Sequence, residues 1–233
     1  MNCVFCQNYE ISQLGKGKEK TVEELAEIFL EQQEKNVENI NLVTPTSYTY
    51  HIIEAIKMAK KNGLKIPIIY NTNGYEKIET IRALNGYIDV YLPDLKYAEN
   101  ELGKKYSKVD KYFEIATDAI KEMINQVGVP KFNNNGIIQR GVIIRHLVLP
   151  NHIENSKKVL KWIKENLPAD IFVSIMAQYF PTYKAKEYNE INRKLTKKEW
   201  KQIEDYVYDV GIENGFIQEL GEQEEEFVPK WEE

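Results

Sequence analysis

Short runs of β-branched and apolar residues alternate with helical stripes along the chain. Five runs predict strands: Ile40–Thr44, Ile66–Asn71, Ile88–Leu92, Val142–Leu149 and Ile171–Gln178. Between them lie amphipathic patterns with recognisable ends. Thr21 and Glu24 form a capping box ahead of Val22, Leu25, Ile28 and Phe29. A second stripe (Ile52, Ile53, Ile56, Ala59) stops at Gly63, and a third (Ile78, Ile81, Leu84) stops at Gly86. A longer one carries Phe113, Ala116, Ile120, Met123 and Val127 before Gly128. Ser156 opens a fifth with Val159, Leu160 and Ile163, ending near Pro168. Thr196 and Glu199 cap a sixth with Trp200, Ile203, Val207 and Val210. Such alternation implies an α/β fold of parallel strands joined by right-handed crossovers. Five strands are too few for a closed eight-fold barrel, so an open barrel and a doubly wound sheet both fit the periodicity.

Polar residues collect where these strands end. Thr44 and Thr46 follow the first, Asn71, Thr72 and Asn73 the second, Asp94 and Lys96 the third, and Gln178 the last. Parallel α/β folds bind ligands at the carboxyl ends of their strands, where loops converge. Ordinary caps and turns account for any one of these residues, Asn73-Gly74 above all. Four strand ends in succession favour a site. Asn133-Asn134-Asn135-Gly136 reads as a turn.

Charge changes the picture only once it is located. The 233 residues carry a net −5, but the last fifteen hold seven acids and one lysine. The remaining body is close to neutral, which argues against broad nucleic-acid binding. The expected division is residues 1–215 as one α/β domain and 216–233 as an acidic, solvated tail. No apolar run approaches the ~18–20 residues that span a bilayer, and MNCVFCQNYE has no signal-peptide pattern. The expected location is cytoplasmic, without membrane contact. Only four of the 31 basic residues are arginine, namely Arg82, Arg140, Arg145 and Arg193. In a chain so biased to lysine, the pair Arg140 and Arg145 in one apolar stretch suggests a planar fork for a carboxylate.

Cys3 and Cys6 are the two cysteines, spaced as CxxC. Thiolates three positions apart can share one metal centre, which leaves zinc, iron–sulfur and dithiol chemistry open. A structural zinc site needs four ligands, and His51, His146 and His152 show no zinc-ligand spacing. A thioredoxin-like CxxC would follow a strand and open a helix, unlike this one.

CVFCQN resembles the end of the radical S-adenosylmethionine signature, CxxxCxxC with an aromatic residue before the last cysteine. NLVTPT, IIYNTNGYE, DVYLPDLKY, IIRHLVLPN and SIMAQYFP resemble successive strand-end segments of the pyruvate formate-lyase activating enzyme-like branch. The resemblance implies a partial (β/α)6 barrel and a [4Fe–4S] cluster that cleaves S-adenosylmethionine to a 5′-deoxyadenosyl radical. It places Cys3 and Cys6 as metal ligands and Phe5 beside the adenine. Thr44, Pro45 and Thr46 take the position of the usual Gly-Gly-Glu at the methionine amino group. Asn71, Asn73, Asp94 and Lys96 line the cofactor, and Arg145 serves its carboxylate or the substrate. Because neighbours on a strand face opposite sides, Arg145 is expected to face inward and His146 away. His51 and His152 are expected at the surface. The resemblance also implies a low-oxygen setting, a flavodoxin- or ferredoxin-type electron donor, and a glycyl radical enzyme as substrate.

Three departures qualify the match. The first signature cysteine would fall two positions before Met1, so Met1 is expected to be internal and the first strand and first cluster ligand missing. Thr-Pro-Thr replaces Gly-Gly-Glu, which marks a divergent branch. No second cysteine cluster exists, so no auxiliary centre is expected. With two of three ligands, the chain as it stands is expected to assemble a cluster poorly. Alternative readings are the same radical chemistry on a small molecule or other peptide, and a non-catalytic two-cysteine metal- or partner-binding domain. An aldolase-like barrel with Lys96 as Schiff-base amine is weaker, since Lys96 leads into the polar run 97–100.

Overall fold

The computed structural model describes residues 1–221. Its helices are α1 (Tyr9–Ser12), α2 (Val22–Glu34), α3 (Thr49–Lys61), α4 (Ile78–Ala83), α5 (Asn100–Ser107), α6 (Tyr112–Val127), α7 (Ile153–Asn166) and α8 (Lys197–Val210). Its strands are β1 (Ile40–Val43), β2 (Ile68–Thr72), β3 (Val90–Pro93), β4 (Lys131–Phe132), β5 (Ile138–Leu147), β6 (Phe172–Met176) and β7 (Gly215–Ile217). The chain forms two compact units. One comprises residues 1–18, 95–114 and 145 onward, and the other comprises residues 19–94 and 115–144. For brevity they are the CxxC unit and the second unit.

In the second unit, β1, β2, β3 and the first half of β5 run parallel in that order. Tyr70 of β2 lies between Leu42 and Tyr91 in register, and Tyr91 pairs with Val142. Ile68, Tyr70, Val90, Tyr91 and Val142 have no exposed surface. Ile56 and Ala59 of α3, Ile81 of α4, and Ile120 and Met123 of α6 are fully buried as well. Thr21 and Glu24 close the expected capping box on α2, with hydrogen bonds of 3.1 and 2.8 Å. The Asn133–Gly136 turn joins antiparallel β4 and β5, closed by the Gly136 N–H on the Asn133 carbonyl at 3.0 Å.

In the CxxC unit, β6 pairs parallel with β7, and the Val148 N–H, just past β5, donates to the Met176 carbonyl. The stripes of α7 (Val159, Leu160, Ile163) and α8 (Trp200, Ile203, Val207) are buried. A Cβ at Gly215 would overlap the Val173 carbonyl, so only glycine lets β7 approach β6.

All five expected strands exist, shorter or shifted at their ends. The expected boundary at 215/216 falls inside β7, and the acidic tail from Glu222 lies outside the described residues. No helix among the described residues is long and apolar enough to cross a membrane.

Candidate functional site

The expected site residues divide between the two units. Cys3, Phe5, Cys6, Lys96 and Arg145 belong to the CxxC unit, and Thr44, Pro45, Thr46, Asn71, Asn73 and Asp94 to the second.

In the CxxC unit the N-terminal segment is tied to the last turn of α5. Asn2 N–H donates to the Ser107 carbonyl at 3.0 Å and Val4 N–H to the Tyr106 carbonyl at 2.8 Å. Val4 and Phe5 are buried, which anchors the turn closed by Cys6 N–H on the Cys3 carbonyl. Both cysteines are half-buried thiols. Cys3 Sγ lies 3.1 Å from Ser107 Oγ, which meets the Tyr97 hydroxyl at 2.8 Å. Cys6 Sγ lies 3.4 Å from Ser12 Oγ. Burial pushes the Cys3 thiol up, while the Lys96 ammonium and the Ser107 hydroxyl pull it down.

Lys96 sits where β3 ends, its N–H donating to the Tyr112 hydroxyl at 3.0 Å. Beside it, Leu95 N–H donates to the Arg145 carbonyl at 2.8 Å, joining the β3 end to β5. His146 is fully buried, with Nδ1 2.7 Å from the Leu95 carbonyl and Nε2 2.8 Å from Ser156 Oγ on α7. It therefore faces the helix layer, and Arg145 takes the other face of β5. One Arg145 guanidinium nitrogen lies 3.7 Å from Met176 Sδ. Phe5 meets Tyr179 edge to face at 5.7 Å. Tyr9 stacks on Tyr183 at 4.7 Å.

One histidine departs from expectation. His152 is half-buried rather than at the surface, with Nε2 2.8 Å from the Tyr106 hydroxyl, and its burial lowers its pKa. The cause is Tyr106, a fully buried ring on α5 whose hydroxyl needs a partner. His51 is exposed.

In the second unit, Thr44 follows β1 with φ +53°, a conformation that β-branched residues rarely adopt. Its N–H donates to the Asn71 carbonyl at 2.8 Å, so the strained residue still extends the β1–β2 ladder. Pro45 is buried, and Thr46 opens a 3-10 turn, 46–48, leading into α3. Asn73 Oδ1 accepts from Tyr75 N–H at 2.9 Å, and Asp94 N–H donates to the Thr72 carbonyl at 2.9 Å.

Sequence reasoning missed Glu76, which is 2% exposed. Its Oε1 accepts from Thr46 Oγ1 at 2.6 Å, from the Tyr70 hydroxyl at 3.4 Å and from Thr72 Oγ1. Its Oε2 is buried without a hydrogen-bond partner among the described residues. Burial pushes the Glu76 carboxyl up against the downward pull of those hydroxyls. The available signal was an acid ending the strand-end run NTNGYE. Tyr70 and Thr72 share Glu76's side of β2, which leaves Asn71 on the opposite face.

No group of three or more His, Cys, Asp or Glu side chains poised for a metal ion occurs among the described residues. Cys3 and Cys6, on one turn beside a lysine, fit two thiolate positions of an iron–sulfur cluster. The 233-residue sequence supplies no third cysteine.

Comparison with known proteins gives a consistent family. Residues 1–142 match the family described as the Radical SAM superfamily. A Methanocaldococcus jannaschii relative, the uncharacterized protein MJ0674, is 38% identical over 209 residues, covering 84% of this chain and 56% of its own length. The chain thus spans about half the length of that curated relative. Streptococcus suis SuiB, solved bound to S-adenosylmethionine, superposes with TM-score 0.55 at 17% identity over 94% of this chain and 44% of that one. A domain of the pyruvate-formate lyase-activating enzyme from Bacteroides vulgatus gives TM-score 0.52 at 14% identity over 78% and 98%. At those identities the likeness shows the fold, a parallel-strand, partial-barrel α/β sheet.

Proposed function

Since the chain belongs to the radical SAM superfamily, we propose that it generates a 5′-deoxyadenosyl radical that takes a hydrogen atom from a glycine Cα of a partner enzyme. The superfamily works with a [4Fe–4S] cluster and S-adenosylmethionine; held by Cys3, Cys6 and a third thiolate, the cluster would supply the electron for reductive cleavage of the sulfonium to methionine and the radical. The hydrogen then passes from glycine to C5′, leaving a glycyl radical and 5′-deoxyadenosine.

This chain's residues have distinct tasks in that reading. Cys3 and Cys6 hold the cluster as thiolates, and the Lys96 ammonium offsets their charge. Thr44, Pro45 and Thr46 receive the methionine end of the cofactor, with Asn71, Asn73, Asp94 and Lys96 along it and Phe5 at the adenine. Arg145 offers its fork to a carboxylate of cofactor or substrate. A flavodoxin- or ferredoxin-type protein in the cytoplasm provides the electron.

The observation that carries this reading is the CxxC turn, bound through Cys3 and Ser107 to α5, with Lys96 beside it at a strand's carboxyl end. Deuterium tracing tests the glycine step. The chain, fitted with an N-terminal Cys-Ala that completes CxxxCxxC, is incubated with S-adenosylmethionine, dithionite and proteins labelled with Cα-deuterated glycine. Deuterium in the released 5′-deoxyadenosine supports glycine as hydrogen donor. Unlabelled nucleoside released at the same rate overturns it and points to a small-molecule substrate.

A further inference from the structure

The chain's net charge of −5 conceals a strongly basic surface on the CxxC unit. Residues 104–111 and 184–199 together hold ten lysines and arginines against four acids, a local charge of +6. Nine of the ten are exposed lysines. The two segments lie side by side. Lys108 Nζ donates to the Tyr188 hydroxyl at 2.9 Å, Tyr106 and Tyr188 meet edge to face at 5.5 Å, and Lys105 pairs with Glu190. The Tyr106 hydroxyl donates to Glu190 at 2.6 Å, and Lys105 and that hydroxyl hold the Glu190 carboxyl down at about 2. Three of the four acids are spent inside the patch, Glu190 on Lys105, Glu199 on Arg193 and Asp110, at 3.6 Å, on Lys104. Lys184 and Lys186, exposed at the start of the second segment, flank Ala185 in a 3-10 turn, 185–187.

The patch is also placed next to the thiols. Its first segment includes Ser107, the partner of Cys3, and accepts the backbone hydrogen bonds of Asn2 and Val4. We propose that this basic face, centred on Lys104, Lys108 and Lys184, is the docking surface for an acidic one-electron carrier protein that reduces the centre held by the CxxC turn. The proposal rests on the radical SAM reading and adds the place and charge of the partner. A protein partner is favoured over nucleic acid because the basic charge is confined to this face, while the body of the chain is close to neutral and offers no extended basic track for a polyphosphate. Charge of this kind steers encounter and shows as salt-dependent affinity.

Binding of this chain to an acidic flavodoxin is measured by calorimetry at low and physiological salt. Two triple variants carry the same change in charge: Lys104→Glu, Lys184→Glu and Lys186→Glu on the patch, and Lys57→Glu, Lys60→Glu and Lys61→Glu on α3. The patch variant is expected to lose about tenfold or more in affinity and most of its salt dependence, and the α3 variant to stay within about twofold. Equal losses in both, or none in the patch variant, overturn the proposal. So does tighter, equally patch-dependent binding of a single-stranded oligonucleotide, which would assign the face to nucleic acid. Dithionite-driven release of 5′-deoxyadenosine needs no carrier, so its failure counts against the enzyme reading and not against the docking surface.

Discussion

Cys3 Sγ and Ser107 Oγ, 104 residues apart in sequence, meet at 3.1 Å on the last residue of α5. Ser107 has no exposed surface and also bonds the buried Tyr97 hydroxyl. Ser107→Ala should therefore strand that hydroxyl and remove the side-chain hold on Cys3, loosening a turn that the backbone bonds of Asn2 and Val4 still attach to α5. The expected loss is about 1–3 kcal/mol of stability, read as a lower thermal midpoint. An unchanged midpoint would show that the contact does not hold the turn.

Neighbouring residues on β5 should respond in opposite ways. His146→Leu leaves the Leu95 carbonyl and Ser156 Oγ unpaired in the core, at an expected cost of about 2–4 kcal/mol. Arg145→Met, on the other face, should leave the denaturation midpoint nearly unchanged and weaken S-adenosylmethionine or substrate binding about tenfold or more. Equilibrium binding and urea unfolding on both variants separate the two roles.

Glu76 gives stability a pH dependence of definite sign. Its folded pKa lies above the ordinary 4.5, so the folded chain holds the proton more tightly than the unfolded one. Stability from the neutral form is complete below the ordinary value and falls as pH rises toward the raised one, by about 1.4 kcal/mol per unit of that window. Glu76→Gln keeps an acceptor oxygen and does not titrate. As pH rises above the ordinary value, the wild-type midpoint should fall relative to the Gln variant. Parallel curves would show that Glu76 is ionised in the folded chain at no cost.

Thr44 holds φ +53° without being glycine. Left-handed backbone costs a β-branched residue about 1–2 kcal/mol, of which glycine's extra chain entropy returns about half. Thr44→Gly should therefore be neutral to mildly stabilising. Thr44→Pro should be destabilising, because it removes the N–H that reaches Asn71. Urea midpoints decide between these signs.

The apolar runs located β1, β2, β3, β5 and β6 because their inward residues are nearly all β-branched or aromatic. Three of the elements that the periodicity did not mark show why. β7 is three exposed residues with Phe216 about half exposed, so neither periodicity nor burial marks it. β4 has two exposed residues and exists only as the partner of β5. α5 has only Leu102 and Tyr106 as large apolar residues, too few for a stripe, yet Leu102, Gly103, Tyr106 and Ser107 are its buried side. Gly103 fits there because a Cβ would crowd Tyr112 at 2.8 Å. The strand-end polar residues were legible singly. Glu76 was not, since its role depends on Thr46, thirty residues away in sequence and bonded to it only in the fold.

The most direct test is release of 5′-deoxyadenosine from S-adenosylmethionine under dithionite, after anaerobic reconstitution with iron and sulfide. The protein is this chain with Cys-Ala added before Met1, beside its Cys3→Ala and Cys6→Ala variants. Nucleoside released by the parent and by neither variant is the expected result, and it places radical chemistry at the CxxC turn. A fully loaded cluster with no nucleoside, or release that survives loss of either cysteine, would contradict it.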